Sequence, residues 1–103
     1  MLQQVSNEHF QPLVNQRCPL HLPDGSLLAV QVESIQLHPR AQLSESSRLP
    51  FNVMLRSLEP TDFVDGLCAL ELPQLGRLDA VFVSREPPLG RDPTLGYFNI
   101  VFN

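Results

Sequence analysis

The sequence predicts a mainly β domain: a strongly bent, antiparallel five- or six-stranded barrel with a short N-terminal helix. Three observations predict it. From Arg17 onward the apolar residues recur with a period of two, the signature of half-buried strands. Ten prolines fall mostly between the apolar runs, where proline suits turns and edges and opposes helices. The connections between runs are too short for the crossovers that parallel strands need.

The elements follow in order. Ser6 is placed to cap a short helix, with Phe10, Leu13 and Val14 on one face, and Pro12 limits it to one or two turns. In "RCPLHL" Cys18, Leu20 and Leu22 share a face, and "PDGS" supplies a tight turn. "LLAVQVESIQL" then turns Leu28, Val30 and Val32 inward. Near Ser34 the phase slips to Ile35 and Leu37, which predicts a bulge or sharp bend. "HPRAQLSESSRL" reads as a long polar loop. Phe51, Val53 and Leu55 form the inner face of the next strand, Cys68, Leu70 and Leu72 that of the fourth, and Leu78, Ala80 and Phe82 that of the fifth. "EPPLGRDPTLG" is a second long loop. The closing strand turns Phe98, Ile100 and Phe102 inward, and it either closes the barrel, pairs inside the sheet or pairs with another subunit.

The 103 residues are expected to make one domain over 1–103, with a helical segment at 1–16 and strands over 17–103. A hydrophobic share of 43% argues against global disorder. No apolar run approaches the roughly 20 residues of a membrane span, and "MLQQVSNEHF" lacks the basic start of an export signal, so the expected compartment is the cytoplasm and no membrane partner is expected. Net charge is −4, and the seven basic residues, all Arg, are scattered along the chain. That disfavours RNA or DNA, which call for a basic face.

The residue types that carry chemistry are present without the spacing that chemistry needs. His9, His21 and His38 form no ligand pair, and Cys18 and Cys68 make neither a redox pair nor a zinc site, so no metal and no cofactor is expected. Asp62, Asp65, Asp79 and Asp92 read mostly as turn residues, and Asp79 and Glu71 are better placed to pair with Arg77 or Arg56 than with each other. Cys68 lies on an apolar face and reads as a buried thiol, and no nucleophile elbow or glycine-rich phosphate loop occurs. The expectation is a protein without catalytic residues. Leu27, Ala29, Val81, Val83, Tyr97 and Val101 fall outside the inward set. With Arg91 of the "GRDPTLG" loop, the residues Tyr97, Val101, Val81 and Val83 are the candidate partner contacts, for self-association or for a protein partner.

Two resemblances bear on this. "LPFNVMLRS", "LCALELPQLGRLDAVFVSRE" and "YFNIVFN" resemble the proline-phenylalanine strand, Leu-Gly turn and terminal aromatic strand of a small, uncharacterised bacterial all-β domain family. That resemblance implies a fold and no activity. "VNQRCPLHLPDGSLLAVQVESI" resembles the first segment of the Sm-like fold, and "LGYFNIVFN" its second. The Sm-like resemblance implies rings built by edge-strand pairing and binding of uridine-rich RNA. The chain departs from that pattern: Ala29 to Val32 occupy the place of the mid-strand glycine, and Asn99 and Ile100 replace the Arg-Gly pair. No residue carries over as an RNA ligand.

Overall fold

The computed structural model describes residues 4–42 and 48–103. The loop serines at 44–47 lie outside the described residues. Strands β1 (Arg17–His21), β2 (Leu27–Leu37), β3 (Phe51–Pro60), β4 (Asp65–Leu72), β5 (Gly76–Glu86) and β6 (Leu95–Phe102) form a closed antiparallel barrel in the order β1-β2-β3-β6-β5-β4. The helix α1 (Asn7–Phe10) and a 3-10 turn at Gln11–Leu13 precede it. Its cap is reciprocal with an unusual partner: the Ser6 backbone N–H donates to His9 Nδ1 at 2.9 Å, a place Glu or Gln commonly takes.

Alternation explains most of the core. Cys18 and Leu20, Leu28, Val30 and Val32, Phe51, Val53 and Leu55, and Phe98, Ile100 and Phe102 are all buried. At one end α1 inserts Phe10 beside Phe51 and Phe102, the latter two stacked with centroids 4.7 Å apart. The expected slip in β2 is present. Val32 pairs with Leu55 and Ser34 with Met54, so Glu33 is the extra residue. The bend lets Val32 bond the N-terminal segment, accepting from Asn15 N–H and donating to Gln16 C=O.

One strand corrects the reading. In β5 the inward residues are Leu78, Val81 and Val83, whereas Ala80 is exposed and Phe82 is 55% exposed. Between the pairs Cys68↔Val81 and Leu70↔Leu78, Asp79 and Ala80 together oppose Ala69. This bulge puts Ala80 at φ +56° and reverses the phase of everything after it. Leu37 also lies outside the core, at 46% exposure.

The barrel is unevenly closed. β6 pairs with β3 along its length, but β5 joins β6 only through Ser84↔Asn99, Arg85↔Phe98 and Glu86↔Tyr97. β4 joins β1 through His21↔Ala69 alone. That second seam is tight: a Cβ on Gly66 would meet Pro23 Cγ at 2.8 Å, so the glycine lets β4 approach the β1–β2 turn. The β4–β5 hairpin is therefore a leaf fastened to the four-stranded sheet β1-β2-β3-β6 by two short seams.

Candidate functional site

The arginines are used mainly inside the molecule. Arg85 donates to three backbone carbonyls, those of Thr61, Phe63 and Leu95, and ties the β3–β4 loop to the barrel. Arg48 holds the Asn103 and Val5 carbonyls. Arg77 pairs with Asp79 at 2.8 Å; it is one of the two arginines expected for that acid, though the pair runs along β5 rather than across the sheet. Arg56 and Arg91 share Glu33, the bulge residue of β2, at 3.8 and 2.9 Å.

Arg91 and Tyr97, two of the sequence-derived contact residues, do come together, but in an internal contact. The Arg91 guanidinium lies 3.8 Å over the Tyr97 ring, and Tyr97 Oη donates to the Asp92 carbonyl at 3.2 Å. The 88–94 loop thus folds back on the barrel and leaves Tyr97 only 3% exposed. Val81 and Val83 are core residues, buried by the β5 bulge, which corrects their assignment to the outer surface. Of the five candidates, Val101 and Arg91 remain exposed.

A surface that the alternation missed takes their place. Leu67 on β4 and Phe82 on β5 are direct cross-strand partners, 59% and 55% exposed. Phe82, Val101, Arg48 and Asn103 are among the residues lining one cleft of about 260 Å³ where β5 parts from β6. Alongside runs the edge of β5. Among the described residues, Gly76–Phe82 have no strand partner on the β6 side. An unpaired edge beside exposed apolar side chains is a template for another chain. The signal for this surface was in the sequence as "LDAVFV": resetting the phase after Leu78 keeps both valines inside and puts Phe82 out.

Several groups able to carry chemistry are buried or bonded within the chain. Burial pushes the Cys18 thiol up and raises Cys68 to about 11. The Ser26 side chain, with its backbone N–H, lowers Asp24, and Thr94 does the same for Asp92, each holding the carboxylate inside a turn. His38 bonds Asn52, whose amide bonds Asn99. A cleft of about 340 Å³ at the β1–β4 seam brings His21, Arg77 and Asp79 near Cys68. Among the described residues no group of three potential metal ligands occurs.

Reactivity of the thiols follows. A pKa near 11 against the ordinary 9.0 reduces the Cys68 thiolate at neutral pH by about a hundredfold. Both thiols should react with a disulfide reagent far more slowly in the native chain than in denaturant. Because folding raises this pKa, the stability it contributes is full below about pH 9 and is lost as pH climbs through about 11. A Cys68→Ala variant should lack that share of the alkaline loss in a pH series of unfolding curves.

Fold and surface together define a small closed antiparallel β-barrel domain in which, among the described residues, part of β5 is unpaired on its β6 side. The chain belongs to the family described as Domain of unknown function (DUF6916), whose match runs over residues 5–102. Neither the curated proteins nor the solved structures contain a match to it. The family match supports the first resemblance, and the Sm-like one is left without support.

Proposed function

We propose that this domain is a non-enzymatic protein-binding module of the cytoplasm, which makes its contacts through the edge of β5 and the apolar patch beside it. The observation that carries the reading is the pair Leu67 and Phe82, opposite each other and both more than half exposed, next to a stretch of β5 that, among the described residues, is unpaired on its β6 side. A partner segment in extended form satisfies the backbone groups of the edge and packs against Phe82 in one step. The protonated thiols and turn-bound acids support a role without catalysis. Free, buried Cys18 and Cys68 suit a reducing compartment. Commitment of five of the seven arginines to internal bonds weighs against the alternative, binding of uridine-rich RNA.

The test is selection of random peptides on the immobilised protein, run in parallel on a Phe82→Ser variant. Peptides with apolar residues at alternate positions should enrich on the native protein and be lost on the variant. No enrichment, or equal recovery on both, overturns the reading. A gel shift with uridine-rich RNA at two salt concentrations should show no complex even at low salt.

A further inference from the structure

The straight part of the β5 edge is self-complementary, and we infer that it pairs with the same edge of a second copy of this chain. The inference rests on the reading of β5 as a contact edge and names the partner. Arg77–Asp79 lie between the left-handed Gly76 and the kink at Ala80, and among the described residues this stretch pairs only with β4. Two identical edges can join in one sheet only antiparallel, about a two-fold axis through the sheet. Outward residues must then meet outward residues, because a slip of one position turns every side chain over.

Few registers satisfy that condition along so short a stretch, and charge separates them. Arg77 and Asp79 point outward, with side chains 51% and 69% exposed, while Leu78 between them is buried. Centring the axis on residue 77 places Arg77 against its own copy, and centring it on 79 does the same to Asp79. Like charges directly opposite are destabilising. Centring it on Leu78 places Arg77 opposite Asp79 twice over, giving a ring of four alternating charges. In that register Gly76 falls opposite Ala80, so the pairing ends at the hairpin turn on one side and at the kink on the other. Edge charges of this kind repel an arbitrary strand. Here they are complementary to an antiparallel copy of themselves.

Sedimentation equilibrium of the full chain from about 10 µM to about 1 mM tests this. A short edge contact belongs to the small, transient class of interfaces, so a reversible monomer–dimer equilibrium is expected, with a dissociation constant on the order of 100 µM. Arg77→Asp and Asp79→Arg should each weaken it at least about tenfold, since one variant sets only acids around the axis and the other only arginines. An equimolar mixture of the two should dimerise again, because acids now face arginines across the axis. This last arm needs no assumption about either variant alone, and circular dichroism checks that both are folded. A native chain monomeric to 1 mM, single variants that dimerise like it, or a mixture that stays monomeric overturns the inference. The peptide selection reads the contact edge separately: enrichment lost on Phe82→Ser with a monomeric native chain keeps the binding module and removes the two-fold dimer.

Discussion

Phe51→Ala should lower the unfolding free energy by about 3–5 kcal/mol, the cost of emptying a fully packed phenylalanine site. Phe51 has no exposed surface and lies where three rings meet: Phe102 stacked on it, and Phe10 of α1 tilted against both. Removing it opens a cavity at the barrel end and takes away the surface against which α1 is seated. Close aromatic pairs add about 0.5–1.5 kcal/mol beyond area, so the loss includes two such contacts. A domain of this size has on the order of 5–15 kcal/mol in total, so the variant loses a large share of it. Phe82→Ala is the control, because it deletes the same ring from a site 55% exposed. It should shift stability by no more than about 0.5 kcal/mol. Urea midpoints at unchanged slope measure both. Equal losses at the two positions would mean that burial at the helix end does not hold the barrel.

The same two phenylalanines show how far the sequence could be read. Alternation placed Phe51 correctly because β3 runs regularly from its first residue to Ser57. It anticipated the Glu33 bulge as well, since the apolar set visibly changes phase from Val32 to Ile35. In β5 the phase also changes, but the apolar residues are continuous from Ala80 to Val83, so either phase finds hydrophobic side chains. The larger ring drew the reading inward, whereas packing against β4 selected the two valines. Whatever depends on which strands meet was beyond a periodicity argument. Alternation states which face is dry and says nothing of the neighbour, so it could not show that β6 enters between β3 and β5. Nor could it show that Arg91 would be laid over Tyr97 by a loop folding back on the sheet.

The misread bulge and the candidate surface have one physical origin. A bulge bends its strand, and β5 has parted from β6 by Val83, with the kink at Ala80 lying between that point and the straight edge. With unbroken alternation through β5, Phe82 would face the core. The insertion of one residue opposite Ala69 turns the ring outward, beside a stretch of β5 that, among the described residues, is unpaired on its β6 side. A surface made this way belongs to the backbone as much as to the side chains. Substituting Phe82 removes the apolar part and leaves the edge intact.

Gly96→Ala should cost about 1–3 kcal/mol, a large effect for one methyl group. A Cβ there would lie 2.5 and 2.6 Å from two atoms of the Phe98 ring and 2.9 Å from Thr61 Cγ2. Ring atoms usually give way cheaply only when the ring is free to turn. Phe98 is fully buried, with Phe63 5.6 Å away on one side and the Arg85 guanidinium 5.9 Å from its centroid. The backbone cannot yield either, because Gly96 N–H donates to the buried Ser57 hydroxyl at 2.7 Å and that hydroxyl donates to the Glu59 carbonyl at 2.8 Å. This hydrogen-bonded pair stitches the irregular join between Arg56↔Tyr97 and Pro60↔Leu95, where no ladder is available. If the ring is what collides, a smaller side chain at 98 should relieve the strain. The double variant Gly96→Ala with Phe98→Leu should then be more stable than the sum of the single losses by about 0.5–3 kcal/mol, a coupling that a double-mutant cycle in urea measures. Additive losses would place the strain in the backbone at the Ser57 stitch, and Ser57→Ala, expected to cost about 1–3 kcal/mol by stranding the buried Gly96 N–H, would be the variant coupled to Gly96 instead.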